Sequence, residues 1–446
     1  MRPERAVQAT IFDVFCAHEI GRELKAMSGW LDEHPSLICL VGRDLRRVGV
    51  TQTGRRGLSA ESVLRCALLK QHRQLSYEEL AFHLEDSATF RAFARLALAW
   101  TPKKSSLQKT ISAIRAETWE AINQGVLASA KRQKLESGEV IRLDSTVTEA
   151  LIHEPSDSSL LWDAVRVLVR MMKAAEQLAG EGGLAWRDRR RAAKRRAYAI
   201  QFTRGRPKRV QQYRELIQIA EAMLAYADEA ARRIDLVAAP AAELWRARYA
   251  HYRPLIWKVI SQSERRVLRG EAVPAPEKIV SLFEPHADII VKGSRDTQYG
   301  HKLNLVAGRS GLILDLVIET GNPPDSERFL PMLDRHITVY GRAPRQAAAD
   351  GGYATARNLR EAKTRGVGDM AFHKKAGLRV EDMVRSRWVY RKLRNFRAGI
   401  EAGVSCLKRA YGLTRCTWRG LAHFRAYVWS SIVAYNLALF TRPAPA

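Results

Sequence analysis

Three acidic residues stand where a carboxylate is costly to bury without a partner: Asp144, Asp350 and Glu401. Asp144 interrupts the apolar pattern of EVIRLDSTV, and Asp350 ends the small apolar run RQAAAD. Glu401 is the only acid in the basic, helical segment YRKLRNFRAGIEAGVSCLKRAYGLTRC. Each one alone has an ordinary explanation, such as a paired strand residue, a turn residue or an i,i+4 ion pair of Arg397 with Glu401.

Together, two strand aspartates and a helix glutamate would form a site for two divalent metal ions. Mg²⁺ prefers hard oxygen ligands and keeps several water molecules, so a few carboxylates are sufficient. Two such ions about 4 Å apart activate the attacking oxygen and stabilise the leaving oxygen when a phosphodiester is displaced. The sequence therefore predicts a site for two Mg²⁺ or Mn²⁺ ions, with Asp144, Asp350 and Glu401 as its ligands and catalytic residues.

These acids need a sheet and a helix to bring them together. Alternating polarity predicts a strand over Val140–Val147 that contains Asp144, and a hairpin with strands over Lys302–Ala307 and Leu312–Glu319. A further short strand, PRQAAAD, ends at Asp350 and turns through two glycines into a helix. Since ligands bind at the carboxyl ends of strands in α/β sheets, we expect the two aspartates on adjacent strands and the glutamate on a helix packed across them.

The composition indicates a globular protein with a polyanionic partner. The 446 residues include 74 Lys and Arg against 47 Asp and Glu, a formal net charge of +27, which favours nucleic acid or an acidic membrane surface. The five cysteines form no C-x-x-C pair, as expected in a reducing compartment such as the cytoplasm. We expect no signal peptide in MRPERAVQATIFDVFCAHEI, no membrane span, and a buried helix from AYVWSSIVAYNLALF.

The most basic stretch lies in the middle of the chain. Eleven Arg and Lys stand between Trp186 and Arg209 against one acid, Asp188, and aromatic residues are interleaved with them. Cations there would release counterions from a phosphate backbone, and aromatic rings would stack on unpaired bases. The alternative is a solvated helix face, but so many like charges repel one another without a partner. We therefore expect nucleic acid to bind here, with these candidate contacts: Arg190, Arg191, Lys194 and Arg195.

Short helices joined by tight turns are predicted between residues 58 and 132. Capping boxes are expected at Ser76 with Glu79 and at Ser105 with Gln108. Such helices suit a helix-turn-helix bundle that binds DNA. An all-helical domain with a charged, solvated face explains the same pattern equally well.

Several segments resemble bacterial insertion-sequence transposases of the DDE type, most closely the ISNCY group. They include RLDSTV, LIHEPSDSSLLWDAVRVL, VIETGNPPDSERF, AADGGYA, WVYRKLRNFRAGIEAGVSCLKRAYGLTRCTWRG, YVWSSIVAYNLALF and, nearer the N-terminus, LSAESVLRCALLKQHRQLSYEELAFHLEDSATFRAF. The resemblance covers nearly the whole chain. It implies an α/β fold: an RNase H-like catalytic core with a helical insertion, preceded by an N-terminal all-α DNA-binding domain.

The resemblance also assigns residues and domains. The family's catalytic triad falls on Asp144, Asp350 and Glu401, and Tyr353 completes its D-x-G-[FY] pattern. The Y-x2-R-x3-E-x6-K signature is met except at its tyrosine, which is an arginine here; its four positions are Arg394, Arg397, Glu401 and Lys408. The implied domains are the N-terminal domain (1–135), the first part of the core (136–158), the basic helical insertion (159–280) and the rest of the core with the C-terminal helices (281–446).

A transposase of this type would bind the terminal inverted repeats of its element, hydrolyse the phosphodiester at each end and join the 3′-OH ends to target DNA. The resemblance implies a homodimer on paired ends, located in the cytoplasm with the nucleoid. Its DNA contacts near the metal ions would be Arg397, Lys408, Tyr353, His301 and Lys302. A structural role is an equal alternative for His301 and Lys302. The alternatives are an RNase H-like nuclease that cuts without joining and an inactive DNA-binding relic. A tRNA- or membrane-binding protein explains the charge but not the acids.

Overall fold

The computed structural model describes residues 18–47, 57–97, 100–180, 183–291, 296–373 and 377–442. The chain divides into two compact units. The first unit combines the residues up to Glu149 with those from His301 onwards, and the second unit consists of Ala150–Gly300. The middle third of the chain is thus inserted between two segments that fold together.

Seven helices precede the first strand in the described part of the first unit. The capping box predicted at Ser76 and Glu79 is confirmed, because each side chain accepts a hydrogen bond from the other residue's backbone N–H. The box predicted at Ser105 is wrong: the helix already begins at Lys104 and has no side-chain cap. The helices are α1 (Glu19–Asp32), α2 (Pro35–Arg47), α3 (Ala60–His72), α4 (Tyr77–Asp86), α5 (Ala88–Phe93), α6 (Lys104–Ile111) and α7 (Ala116–Arg132).

The second unit is mainly helical. Its apolar side chains recur at helical spacing and pack into one core shared by its helices. These helices lie largely within the predicted insertion, 159–280, whose role in DNA binding stays a prediction. After β1 (Val140–Glu149), the chain forms α8 (Asp157–Ala179), α9 (Arg190–Phe202), α10 (Arg206–Ile234), α11 (Pro240–Ser263), a π-helical turn Glu264–Leu268, a 3₁₀ turn Ala275–Glu277 and the short strand β2 (Asp288–Ile290).

One mixed sheet carries the strands of the first unit. They lie in the order β4–β3–β1–β5–β6, with β3 (Gln298–Gly308), β4 (Ile313–Ile318), β5 (Gln346–Ala349) and β6 (Asp369–Phe372). β5 runs parallel to both β1 and β6, whereas β3 and β4 form the predicted antiparallel hairpin. A mixed sheet combined with many helices is consistent with the RNase H-like core that the resemblance implies.

The remaining helices of the first unit pack on this sheet and on the N-terminal helices. α15 packs against β1, β5 and β6, and α16 packs against α3 and α7. α16 is buried along most of its length, which confirms the buried helix predicted from the apolar tail segment. The elements are α12 (Asp325–Tyr340), a 3₁₀ turn Gly351–Tyr353, α13 (Ala356–Thr364), α14 (Val380–Met383), α15 (Arg387–Ala410) and α16 (Leu421–Phe440).

The predicted strands exist, but some of their ends differ from the prediction. β1 continues two residues beyond Val147, and the first hairpin strand begins four residues before Lys302. The sequence pattern misses β2 and β6, since strands of three and four residues show too little alternation. Across the described ranges, no helix combines the length and the apolar character that crossing a membrane requires.

Candidate active site

The register of the parallel strands brings Asp144 and Asp350 together. Leu143 on β1 pairs with Ala349, the last residue of β5. Asp144 follows Leu143 and Asp350 follows Ala349, so the two aspartates lie beside each other. The backbone N–H of Ser145 donates to Asp144 Oδ1 at 2.7 Å. Backbone hydrogen bonding therefore places two carboxylates side by side at the point where β5 ends.

Helix α15 lies across these strands and is held there by Arg142. Arg142 Nη1 donates to the carbonyl oxygen of Phe396 at 2.8 Å, and its guanidinium lies 4.7 Å from the centre of the Phe396 ring. Gly399 permits this approach, since a Cβ there would lie 2.3 Å from Arg142 Nη1. Arg142 and Asp144 are two residues apart on a strand, so both face α15.

Arg397 on α15 contacts all three candidate carboxylates. Its Nη2 lies 3.1 Å from Asp144 Oδ2 and 3.2 Å from Asp350 Oδ1. Its Nη1 lies 2.9 Å from Glu401 Oε1. The two aspartate oxygens share one nitrogen, so they are separated by no more than two such contact distances. Three acids that are far apart in the sequence are thus gathered around one guanidinium.

The carboxylate cluster is open to solvent on one side. The side chains of Arg397 and Asp144 are 8% and 15% exposed, whereas those of Asp350 and Glu401 are 39% and 63% exposed. Three carboxylates against one guanidinium leave an excess of negative charge, which favours the binding of further cations. Such cations would reach the cluster from the side of Asp350 and Glu401.

The cluster fits Mg²⁺ or Mn²⁺ in ligand type but not in its present arrangement. All three side chains offer the hard carboxylate oxygens that these ions prefer. Within the described ranges, however, no three His, Cys, Asp or Glu side chains form a group that could hold a metal ion as it stands. The carboxylates face the guanidinium of Arg397 instead, so an ion held by all three would require Arg397 to move aside.

A second group of polar side chains lies directly beside Asp144. Lys302 Nζ is 2.5 Å from Asp325 Oδ1, and the side chains of this pair are only 5% and 17% exposed. The other oxygen, Asp325 Oδ2, accepts a hydrogen bond from Ser145 Oγ at 3.1 Å. Asp325 also lies against the turn after β5, where a Cβ on Gly352 would be 2.9 Å from Oδ2. Asp325 therefore connects β1 to that turn.

Tyr353, predicted to contact DNA, is fully buried behind the turn that follows β5. Its hydroxyl donates to Asn304 Oδ1 at 2.7 Å. Burial raises the pKa of Tyr353 well above its usual value, and the negative charges of Asp325 and Asp144 raise it further. The phenol therefore stays protonated and supports the turn from behind. Its contact with DNA stays a prediction.

Two other predicted DNA contacts, His301 and Lys302, are 2% and 4% exposed. His301 Nδ1 lies 3.0 Å from the carbonyl oxygen of Glu319. A DNA strand would reach either side chain only after a local opening of β3. Lys408 is half-buried two turns beyond Glu401, and burial lowers the pKa of its ammonium group. The DNA contacts of all three residues stay predictions.

The predicted DNA-binding cations of the second unit lie on α9. Arg191, Lys194 and Arg195 are exposed. Arg190 is partly exposed and pairs with Asp188, with 2.6 Å between Arg190 Nη2 and Asp188 Oδ2. A surface pocket on this unit is lined by cations of α8 and α9: Arg166, Arg170, Arg190, Arg191 and Lys194. This exposure permits phosphate contacts, which stay predictions.

Sequence reasoning missed the roles of Asp325, Ser145 and Arg142. The segment PPDSERF predicts a helix start, and an acid in the first turn of a helix is explained by the helix dipole alone. The hydrogen bond that Asp325 Oδ2 accepts from Ser145 has no signal in the local sequence. For Arg142 a signal does exist: it alternates with Asp144 in RLD, so the two side chains had to share one face of the strand.

Residues 291–437 match the family model of the transposase DDE domain. The matched segment is less than half of the chain; it contains Asp350, Arg397 and Glu401 but not Asp144. Comparisons with curated proteins and with solved structures gave no match. The family match supports a DDE-type transposase, and with it a DNA-cutting function of a kind that generally uses divalent metal ions. The ISNCY group is not confirmed.

Proposed function

We propose that this chain is a DNA transposase that acts on the ends of an insertion sequence, of the ISNCY group. It would bind the terminal inverted repeats, hydrolyse the phosphodiester at each end and join the freed 3′-OH ends to target DNA. The observation that carries the proposal is the convergence of Asp144, Asp350 and Glu401 on Arg397. The family match of residues 291–437 supports the same class of reaction.

In this proposal the three carboxylates would hold two divalent ions once Arg397 has moved aside. Mg²⁺ or Mn²⁺ would supply the activation of the attacking oxygen and the stabilisation of the leaving oxygen. Asp144 lies on β1 and Asp350 directly follows β5, and backbone hydrogen bonds set the register of these two strands, so the positions of both aspartates are preorganised. Glu401 has the most exposed side chain of the three and is placed to complete the site from the solvent side.

Arg397 has two roles in the proposal. Before ions bind, its guanidinium neutralises part of the negative charge of the carboxylates that surround it. Once released from them, the planar guanidinium can donate two parallel hydrogen bonds to a phosphate of the DNA. Lys408 would bind a further phosphate two turns along the same helix.

Other parts of the chain would hold DNA outside the carboxylate cluster. The exposed cations of α9, within the insertion 159–280, would bind the phosphate backbone. The helices of 1–135 would read the inverted repeats, and 136–158 with 281–446 would form the catalytic core. Since two ends must be cut and joined together, we propose a homodimer that works at the nucleoid in the cytoplasm.

The proposal is tested with the purified full-length chain and labelled DNA that carries the inverted repeats found beside its gene. With Mg²⁺ we expect cleavage at the repeat ends, followed by joined products when a target plasmid is added. Chelation of the metal should stop both steps. Cleavage without joining would contradict transposition and favour a nuclease. Binding without cleavage at any metal concentration would indicate an inactive relic.

Replacement of Asp325 tests the buried pair beside the cluster. Asp325→Asn is expected to destabilise the protein by about 3 kcal/mol, because it leaves the Lys302 ammonium buried without an anionic partner. Urea unfolding followed by circular dichroism measures the loss. Asp334→Asn on the same helix is the matched control: its pair with Arg365 is more exposed, so a loss below about 1 kcal/mol is expected. Equal losses in the two variants would contradict this assignment.

The double variant Lys302→Met/Asp325→Leu separates stability from positioning. With both charges removed, stability is expected to recover towards the wild-type value. Cleavage is not expected to recover, because the hydrogen bond between Ser145 and Asp325, directly beside Asp144, is lost in the double variant as well. Full cleavage by the double variant would show that the pair serves stability alone.

A further inference from the structure

A stripe of arginines on α15 leads to the candidate active site. Arg387, Arg391 and Arg394 follow one another at spacings of four and three residues, and the same spacing continues through Ala398 to Glu401. Residues three and four apart are neighbours on one face of a helix. All five are exposed, so this face is open to solvent along its whole length and ends at Glu401.

Acids in the described part of the chain do not balance the arginine stripe, Arg387, Arg391 and Arg394. Arg387 makes one long contact, 3.6 Å from its Nη2 to Glu381 Oε1, and both side chains of that pair are largely exposed. Within the described ranges no carboxylate lies at pairing distance from Arg391 or Arg394. Like charges at these spacings destabilise a helix on their own. A polyanion lying along the stripe would turn the repulsion into attraction.

We infer that the arginine stripe binds the phosphates of the DNA strand that enters the active site. This inference rests on the proposed function and adds to it the path of the strand. A helix rises 1.5 Å per residue, so Arg394 lies roughly 10 Å and Arg387 roughly 21 Å from Glu401 along the axis. A strand of duplex DNA advances about 3.4 Å per nucleotide. The stripe therefore covers roughly three nucleotides, starting about three from the reacting phosphate.

Two further features of the stripe suit a DNA strand. Arginine presents a planar group that binds a phosphate through two hydrogen bonds, which fixes the strand more closely than a lysine would. Ala398 stands between Arg394 and Glu401, and its small side chain leaves the surface beside the carboxylate open. A strand held by the arginines would thus reach Glu401 without a bulky side chain in its way.

The salt dependence of DNA binding tests the stripe. The full-length chain is titrated into a fluorescently labelled duplex of mixed sequence at several salt concentrations, and affinity is read from anisotropy. In Arg391→Gln/Arg394→Gln the slope of log affinity against log salt concentration should be less steep by about two. Each lost phosphate contact reduces the magnitude of this slope by about 0.9. Arg391→Lys/Arg394→Lys keeps both charges and should keep the wild-type slope.

The matched control is Arg357→Gln/Arg360→Gln on α13, which removes two exposed arginines at the same spacing. Its slope is expected to equal that of the wild type. An unchanged slope in the stripe variant, or equal losses in both glutamine variants, would overturn the inference and leave the proposed function standing. Loss of the slope in the lysine variant would overturn it as well. A wild-type chain that fails to bind duplex DNA would contradict the proposed function itself, and this inference with it.

Discussion

Replacing Asp144 with asparagine is expected to reduce DNA cleavage on the order of a thousandfold, while the affinity for DNA changes little. The amide has the shape of the carboxylate and keeps an oxygen that accepts from the Ser145 N–H, so the local structure should persist. The variant loses the negative charge that a divalent ion requires of its ligand. A thousandfold loss corresponds to about 4 kcal/mol of activation free energy.

Single-turnover cleavage of a labelled repeat with Mg²⁺ measures this loss, and anisotropy measures the affinity. The matched control is Asp315→Asn, since Asp315 also lies on a strand of the sheet and pairs with an arginine, at 2.7 Å from Arg335. The control should lower the melting temperature and leave the cleavage rate of the folded protein near the wild-type value. Undiminished cleavage by Asp144→Asn would remove Asp144 from the catalytic set.

The other two acids should behave in the same way if the three act as one site. Asp350→Asn and Glu401→Gln are each expected to give a loss similar to that of Asp144→Asn. Combining two of the substitutions should add little, because groups that act together in one step have non-additive effects. Losses that multiply in the double variants would show that the carboxylates act independently.

The sequence predicted those secondary-structure elements that a local residue pattern specifies. Alternation around Asp144 and the glycine turn after Asp350 indicated two strands, and both exist. The pairing of Leu143 with Ala349 joins residues 206 positions apart, and no local pattern specifies it. Register depends on which faces are buried against other elements, which only the folded chain determines.

The contacts of Arg397 could not be predicted, because a local explanation was already complete. Its spacing of four from Glu401 accounts for an ion pair on the helix surface, and that pair exists. The contact with Asp144 spans 253 positions. It depends on how closely α15 approaches β1, and that distance is set by Arg142 and the missing Cβ of Gly399.

The burial of Lys302 could not be predicted from the sequence either. A DNA contact of Lys302 was predicted together with the family resemblance, and a structural role was an equal alternative. β3 is an interior strand of the sheet, between β4 and β1, and its residues are buried without interruption from Gly300 to Gly308, so both of its faces are covered as well. Lys302 therefore pairs with Asp325 inside the fold. Whether a strand is interior or at an edge is a property of the whole sheet, and the strand's own residues do not reveal it.

Replacing Arg397 with methionine is expected to lower stability without metal ions and to raise the affinity for them. Methionine keeps much of the apolar stem but leaves three carboxylates facing one another, so repulsion should lower the melting temperature by several degrees. Mg²⁺ binds the folded state and should restore the stability. It should do so at a lower concentration than the wild type requires, because no guanidinium competes for the same oxygens.

Thermal unfolding at increasing Mg²⁺ concentration measures both effects. Arg335→Met is the matched control, since it breaks a close arginine–aspartate pair in the same unit but leaves two carboxylates, Asp315 and Glu120, in place of three. Its melting temperature should fall and should not respond to Mg²⁺ more than that of the wild type. If Arg397→Met responds no more than this control, the guanidinium does not occupy the place of the ions and its contacts are structural.

Cleavage separates the two proposed roles of Arg397. Were the guanidinium only a counterion for the three carboxylates, Arg397→Met would cut DNA at the wild-type rate once Mg²⁺ saturates the site. Because we also assign it a phosphate contact, we expect the rate to stay about a hundredfold lower at saturating Mg²⁺. Tighter binding of the ions together with slower cleavage is a combination that a purely structural arginine would not produce. It would mean that the guanidinium of Arg397 neutralises the carboxylates before the ions bind and binds a DNA phosphate afterwards.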